Sequence, residues 1–305
     1  MTVLIIGGSG FLGAELVRQA ASAGRRPAAT FHSRPGDHDG AVWHQLDLRD
    51  PLRLEEVLAA VAPAAVINAT SGGPDWATTA EGGTRLARAA AERGIRLVHV
   101  SSDAVFSGTH RERYDESCLP DPVTPYGAAK AAAETAVRLL CPDTAAIART
   151  SLIIGQGRSE HEQLVHALVS RTRQGALFTD DIRCPVHVED LAAALWEITR
   201  SDATGVLHLA GPDALSRYEL GELIARRDGL DPDRLPSARR SASGLPGGLD
   251  VRLDSRVTQQ KLRTRLRGAR AFLSRSDPAS PTGTTGRAAT NRSSVPLRNE
   301  PRAGQ

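Results

Sequence analysis

A tyrosine and a lysine four residues apart are placed to carry acid–base chemistry. Tyr126 and Lys130 lie in the alanine-rich stretch 124–140, which is predicted to form a helix, and side chains four residues apart lie on one face of a helix. The ammonium group of Lys130 favours the phenolate, so the pKa of Tyr126 is expected to be lowered. Such a pair is typical of a proton donor beside a nicotinamide cofactor, whose ribose hydroxyls the lysine can hold. The alternative is an incidental surface pair.

Two serines end a predicted strand upstream of this helix, in the run Val98-His-Val-Ser-Ser-Asp103. In open α/β sheets ligands bind at the carboxyl ends of the strands. Ser102 could therefore donate a hydrogen bond to a substrate carbonyl and stabilise the negative charge that develops on its oxygen. Ser101 is the competing candidate, and simple strand capping is the alternative for both.

A glycine-rich turn near the start of the chain predicts a nucleotide site. Gly7, Gly10 and Gly13 follow an apolar run of strand length, and a helical pattern begins at Phe11-Leu12. Glycine at the second position allows the backbone to approach a pyrophosphate, and at the third it allows helix and strand to pack closely. The N–H groups of the helix N-terminus would then bind phosphate. An ordinary glycine-rich turn is the alternative.

The end of the second predicted strand, 26–31, distinguishes between the two nicotinamide cofactors. NAD-binding domains usually place an acidic residue here for the ribose hydroxyls, whereas an arginine accommodates the 2′-phosphate of NADP. The sequence is Phe31-His-Ser-Arg34, without an acid. Ser33 and Arg34 are therefore the candidates for the 2′-phosphate, and NADP(H) is favoured over NAD(H). A solvated loop arginine is the alternative.

Strands and helices alternate along the first half of the chain. This alternation predicts an α/β fold, a doubly wound parallel sheet of the Rossmann type with a small C-terminal substrate lobe. We expect residues 1–150 to form an NADP-binding domain and residues 151–274 a mixed, largely substrate-binding lobe. The predicted strands are 26–31, 41–46, 64–68, 96–101, 144–150 and 206–210, and the predicted helices are 51–61, 76–93, 124–140, 160–174, 189–199 and 216–227.

The small positive net charge belongs to the end of the chain. Residues 275–305 carry five arginines against two acidic residues, while the 33 basic and 33 acidic residues of the remainder balance. A neutral body argues against a nucleic-acid surface. The end segment lacks periodicity and is rich in Ser, Thr, Pro, Gly and Arg, which predicts a disordered tail.

Three widely spaced cysteines, Cys118, Cys141 and Cys184, show no metal-type pairing, so we expect no metal site and a reduced, cytoplasmic protein. No apolar run reaches the length of a membrane span, and the chain opens with a strand pattern instead of a signal peptide. We therefore expect no membrane partner. A homo-oligomer remains open.

Several separate stretches within residues 1–274 resemble the extended short-chain dehydrogenase/reductase family, and within it the nucleotide-sugar reductases such as the dTDP-4-dehydrorhamnose reductases. The similar stretches are the glycine turn 7–13, Asp47-Leu48, Val66-Ile-Asn-Ala69, Ser101-Ser-Asp-Ala-Val-Phe-Ser-Gly108, Pro125-Tyr-Gly-Ala-Ala-Lys130 and Pro185-Val-His-Val-Glu-Asp-Leu-Ala192.

The resemblance implies NADPH-dependent reduction of a keto group on a nucleotide-linked 4-keto-6-deoxysugar. Tyr126 would be the general acid, Ser102 would polarise the ketone, and Lys130 would orient the ribose. It also implies cofactor contacts from Asp47 and Leu48, and from the segment at the end of the strand 64–68, namely Asn68, Ala69 and Thr70.

Some positions depart from the reductase pattern. Ser102 stands for the usual threonine, Ala104 for an aromatic residue and Ser107 for an acidic one, and the loop 70–75 is unlike the usual segment. The hydroxyl at position 102 is retained, so the departures bear on the choice of sugar. Arg149, Arg158 and Arg183 are candidates for the substrate pyrophosphate.

Three other functions stay open from the sequence. A nucleotide-sugar epimerase or dehydratase would keep NAD bound and need further acid–base groups, for which Cys118 and His187 are the candidates. A catalytically silent NADP-binding regulatory subunit would resemble the reductases closely. A general NADPH-dependent carbonyl reductase would act on a different substrate, because fold alone does not select function.

Overall fold

A computed structural model describes residues 1–38, 40–109 and 112–274. The predicted disordered tail, 275–305, lies outside the described residues. In the part of the chain that is described, no helix has the length and apolar character needed to cross a membrane.

Seven parallel strands form the central sheet, in the order β11-β6-β5-β4-β1-β2-β3. They are β1 Val3–Ile6, β2 Ala28–Phe31, β3 Val42–Gln45, β4 Ala65–Asn68, β5 Arg96–Ser102, β6 Ala145–Thr150 and β11 Gly205–Leu209. All four residues of β1 pair with β4, from Val3 opposite Ala65 to Ile6 opposite Asn68. The chain winds outward in both directions from this pair, which leaves a crevice at its carboxyl end. The predicted Rossmann fold is confirmed.

Helices cover both faces of the sheet with separate apolar layers. Helices α1 and α6 pack together on one face, and α2, α3 and α4 contribute to the layer on the other. The helices are α1 Phe11–Ser22, α2 Pro51–Val61, α3 Gly82–Arg93, α4 Pro125–Leu140, α5 Glu160–Val169, α6 Val188–Thr199, α7 Arg217–Arg227, α8 Arg256–Lys261 and α9 Ala269–Phe272.

Local sequence signals fix several helix ends. Thr124 caps α4 by accepting a hydrogen bond from Gly127 N at 3.0 Å, and proline follows at the first helical position. Ser216 caps α7 by accepting a hydrogen bond from Glu219 N, and Gly94 ends α3 in the left-handed conformation, with φ of +63°. The predicted helix 160–174 is wrong at its end, because α5 stops at Val169 and Arg171 turns to φ of +59°.

The chain beyond residue 150 contributes to two parts of the fold. Helix α6 and strand β11 complete the central sheet and one of its covering layers. Helices α5 and α7 share a separate apolar cluster. Short strands accompany them in three pairs: β7 Ile153–Ile154 with β10 Val186–His187, β9 Ile182–Arg183 with β12 Leu215–Ser216, and β8 Leu177–Phe178 with β13 Ser237–Ala238.

Candidate active site

Two adjoining cavities open at the carboxyl edge of the sheet. The larger has a volume of about 720 Å³ and the smaller about 350 Å³. They share the lining residues Gly10, Ala69, Thr70 and Ser71, which come from the turns after β1 and β4. One ligand could therefore extend from the smaller cavity into the larger.

The glycine turn forms part of the wall between these cavities. Gly7 adopts φ of +82°, and a Cβ on Gly13 would overlap the carbonyl oxygen of Gly7. These two positions therefore need glycine, so that α1 can pack directly against the turn. Within the described residues no side chain caps the N-terminus of α1. Its free N–H groups and the absence of side chains form a cradle that fits a dinucleotide pyrophosphate.

The smaller cavity contains the predicted acid, Asp47, and its neighbour Leu48. Arg49 donates to both carboxylate oxygens of Asp47, through Nη2 at 2.7 Å and Nε at 3.0 Å. This hydrogen bonding is the largest cause that lowers the pKa of Asp47 to about 2. His32 and Arg49 also line the cavity, and sequence reasoning missed both.

The remaining predicted cofactor residues occupy different positions. Ala69 and Thr70 line both cavities, and Phe11 and Leu12 line the larger one. Asn68 is buried at 2% exposure and is not part of either lining. Ser33 and Arg34 are exposed and lie outside the lining as well, so their binding of a 2′-phosphate stays a prediction.

Ser102, Tyr126 and Lys130 all line the larger cavity. Ser102 Oγ accepts a hydrogen bond from Ala104 N at 3.2 Å. The expected lowering of the Tyr126 pKa is wrong: burial raises it, and hydrogen bonding from Ser71 and Ser102 only partly opposes that effect. The phenol is therefore held in its protonated form.

Lys130 is buried and is held by two backbone carbonyl groups. Its ammonium group donates to the backbone oxygens of Thr70, at 3.1 Å, and Val100, at 3.0 Å. Burial lowers the Lys130 pKa to about 8, and the charge of Glu134 opposes this shift. An ammonium group has three donors, so one N–H remains for a ligand in the cavity.

The hydroxyl group of Ser101, the alternative to Ser102, is already hydrogen-bonded to a buried carboxylate. Its hydroxyl donates to Glu134 Oε1 at 2.6 Å, and Glu134 also forms a buried ion pair with Arg149 at 2.8 Å. Arg149 therefore lies in the interior and not in the cavity lining. Arg158 is exposed and outside the lining too.

Of the three predicted pyrophosphate ligands, only Arg183 lines the larger cavity. Two further arginines, Arg217 and Arg240, also line it, and sequence reasoning missed both. Asp181 Oδ2 lies 2.7 Å from Arg240 Nη1 and 3.5 Å from Arg217 Nε, and Asp181 Oδ1 lies 2.8 Å from Arg183 Nη1. Asp103 lies 3.6 Å from Arg183 Nε. These five residues, which we call the arginine cluster, carry an excess of positive charge. Arg217 and Arg240 follow no sequence pattern that marks a site.

The two candidates for extra acid–base groups lie elsewhere. Cys118 is buried, and its Sγ lies 3.4 Å from Asp115 Oδ1. His187 caps α6 through Nδ1, which accepts from Glu189 N at 3.3 Å. Neither side chain lines the cavity that holds Tyr126.

Known proteins resemble this chain over most of its length. A family model described as the RmlD substrate binding domain matches residues 1–272. The dTDP-4-keto-6-deoxy-D-glucose reductase of Streptomyces niveus is 30% identical over 255 residues, which are 79% of this chain and 85% of that protein.

Solved structures agree in fold. The structure of a hypothetical dTDP-4-dehydrorhamnose reductase from Sulfolobus tokodaii is 27% identical, with a TM-score of 0.75 over 88% of this chain and 97% of that one. The dTDP-4-dehydrorhamnose reductase of Bacillus anthracis, determined in complex with NADP, is 20% identical, with a TM-score of 0.73 over 89% of this chain and 96% of that one. The chain therefore belongs to the RmlD substrate binding domain family, and its resemblance to the extended short-chain dehydrogenase/reductases is confirmed.

Proposed function

We propose that the protein is an NADPH-dependent reductase of the 4-keto group of a nucleotide-linked 6-deoxysugar. The observation that carries this proposal is the convergence of Ser102, Tyr126 and Lys130 on one cavity that adjoins the glycine turn. The S. niveus relative is named for reduction of a sugar of this kind.

The cofactor site has room and chemistry for NADP(H). The turn after β1 and the N-terminus of α1 would hold the pyrophosphate, Asp47 and Leu48 would contact the adenosine end, and Lys130 would hold the nicotinamide ribose. When bound, the cofactor supplies the hydride that is transferred to the carbonyl carbon.

The three polar residues of the larger cavity have complementary tasks. Tyr126 gives its phenolic proton to the carbonyl oxygen, and its raised pKa keeps that proton in place at neutral pH. Ser102 donates a hydrogen bond to the same oxygen as negative charge develops. The ammonium group of Lys130 orients the ribose and so places the reacting atoms in contact.

The arginine cluster supports a diphosphate at the far side of the larger cavity. Arginine binds phosphate oxygens through paired N–H groups, and the excess positive charge would be neutralised by the diphosphate of a sugar nucleotide. We assign Arg183, Arg217 and Arg240 to this part of the substrate. Residues 1–150 then supply mainly the cofactor site and residues 151–274 mainly the substrate site.

The cell compartment follows from the same chemistry. Cys118, Cys141 and Cys184 are buried thiols, which is typical of a reducing compartment. We propose that the enzyme acts in the cytoplasm, with a nucleotide sugar as its principal partner.

The test follows NADPH absorbance with a panel of dTDP-4-keto-6-deoxyhexoses. Wild-type protein should oxidise NADPH only when a sugar is present, and Tyr126→Phe should lose this activity while it still binds NADPH. Tyr218→Phe is the matched control, because Tyr218 lies at the start of α7, outside the lining of the larger cavity.

Each outcome has a distinct meaning. Sugar-dependent oxidation that survives in Tyr126→Phe would refute Tyr126 as the acid. Tight NADPH binding without turnover of any sugar would instead favour a regulatory subunit or a different carbonyl substrate. Protein that copurifies with NAD and does not consume NADPH would favour the epimerase or dehydratase.

A further inference from the structure

A buried histidine lies directly behind the cofactor side of the site. His99 is 1% exposed and pairs in register with Asn68, since both lie on neighbouring parallel strands, β5 and β4. Helix α3 passes over the imidazole, because a Cβ on Gly83 would lie 3.5 Å from His99 Cε1. The ring is therefore enclosed between the sheet and the helices that cover it.

Asn68 connects this histidine to the turn that lines both cavities. Its amide nitrogen lies 3.2 Å from His99 Nδ1. Its amide oxygen accepts two hydrogen bonds from Thr70, from the hydroxyl at 2.6 Å and from the backbone N–H at 3.2 Å. These bonds fix which end of the amide faces which partner, because an amide oxygen only accepts and an amide nitrogen only donates.

The ring must therefore accept at Nδ1 and carry its proton on Nε2. That atom has no hydrogen-bond partner among the described residues. Burial, with a contribution from the charge of Lys130, lowers the His99 pKa to about 3, so the ring is neutral throughout the physiological range. A neutral ring in one tautomer gives Asn68 a permanent acceptor.

Thr70 connects Asn68 to Lys130. Its backbone N–H is held by Asn68, and its carbonyl oxygen accepts from Lys130 Nζ at 3.1 Å. Together with the Val100 carbonyl, at 3.0 Å, that carbonyl fixes where the ammonium group lies and where its remaining N–H points. A misplaced Thr70 would therefore turn the ammonium away from a ligand in the cavity.

We propose that His99 is a positioning residue for cofactor binding, acting through Asn68 and Thr70 on Lys130. This inference rests on the proposed role of Lys130 in holding the ribose. It assigns to Asn68 an indirect role, behind the cavity wall, in place of the direct cofactor contact expected from the sequence.

The test compares three full-length variants by their Kd for NADPH, measured from the fluorescence of the bound cofactor. His99→Leu removes the acceptor at similar volume, and we expect the Kd to rise about tenfold, the upper end of the usual effect of losing a hydrogen bond between neutral groups. His99→Gln restores an acceptor and should stay within about threefold of wild type. Val98→Ala, a buried change on the opposite face of β5, controls for lost stability.

A second measurement reads the histidine directly. In protein labelled with ¹³C and ¹⁵N in its histidine rings, the resonance missing from His99→Gln should report an Nε2-protonated ring that does not titrate between pH 5 and 8. An Nδ1-protonated ring would overturn the proposal, as would equal Kd values for His99→Leu and His99→Gln. A rise no larger than that in Val98→Ala would overturn it as well. None of these readouts uses the sugar, so they stand apart from failure of the proposed reductase activity.

Discussion

Replacing Arg149 by methionine should destabilise the protein without affecting the substrate site directly. The side chains of Arg149 and Glu134 are 1% and 0% exposed. Arg149 donates to both oxygens of Glu134, through Nη2 at 2.8 Å and Nε at 3.0 and 3.2 Å, and its Nη1 donates to the Cys118 carbonyl at 3.0 Å. Its guanidinium also lies 5.0 Å from the centre of the Phe106 ring.

The magnitude follows from the charge that is left behind. Without Arg149, the Glu134 carboxylate keeps the hydroxyl of Ser101 as its partner and the charge interaction with Lys130, but it loses its ion-pair partner. Breaking a buried pair in this way costs about 3–5 kcal/mol of unfolding free energy, and methionine restores only the packing. For a chain of this size the melting temperature should fall on the order of 10 °C.

Urea unfolding of Arg149→Met, Glu134→Gln/Arg149→Met and the control Arg158→Met measures this effect. The double variant removes both charges and should recover more than half of the loss, whereas exposed Arg158 should change stability by about 0.5 kcal/mol or less. Near-wild-type stability of Arg149→Met, together with a raised KM for the sugar nucleotide, would refute the reasoning. That result would support Arg149 as a ligand of the substrate pyrophosphate.

Three further predictions concern pH, the glycine turn and cofactor choice. Burial lowers the pKa of His99 to about 3 and that of His161 to about 4, so as the pH falls the unfolded chain binds these protons before the folded chain does. Below pH 6.5 each histidine should therefore lower the unfolding free energy by up to about 1.4 kcal/mol per pH unit. His161→Gln should flatten this slope when unfolding in urea is measured at pH 7, 6 and 5, and an unchanged slope would contradict the assignment. Gly13→Ala should abolish NADPH binding or folding, since the added Cβ would overlap Gly7; cofactor fluorescence measures the binding and circular dichroism the folding. A folded variant with wild-type affinity would contradict the assignment of the pyrophosphate to the glycine turn. Arg34→Ala should raise the Kd for NADPH about tenfold and leave the Kd for NADH unchanged. If Arg49→Ala raises the Kd for NADPH in this way and Arg34→Ala does not, Arg49 is the residue that binds the 2′-phosphate.

The central sheet and its ligand edge could be predicted because their signals are local. Most strands of the sheet are apolar runs of four to seven residues, long enough to identify a buried strand, although β3 contains no buried residue. Gly94 marks a helix end through its backbone conformation, and Ser216 marks one through a side-chain hydrogen bond. The glycine turn is equally local, since Gly10 and Gly13 both lie against Gly7. Parallel pairing then places the ends of β1, β4 and β5 at one edge of the sheet without further information.

The partners of the charged residues could not be predicted in this way. The sequence does not distinguish Arg149, Arg183 and Arg217 from one another. In the structure Arg149 forms a buried ion pair, whereas Arg183 and Arg217 line the larger cavity. The difference depends on which carboxylate lies opposite each of them in the folded chain. Glu134 lies 15 residues from Arg149. Asp181 is only two residues from Arg183 but lies in an irregular segment, so spacing carried no information about these contacts.

The electrostatics of Tyr126 illustrate the same separation between placement and environment. A spacing of four residues predicted that Tyr126 and Lys130 would share one face of a helix, and both line one cavity. The ammonium group bonds to the Thr70 and Val100 carbonyls. Burial then dominates and raises the Tyr126 pKa. At neutral pH the phenol is therefore protonated, as a group that gives up a proton must be. In the proposed mechanism Lys130 contributes mainly by positioning the cofactor, and the residues that hold Lys130 in place would then matter for the reaction.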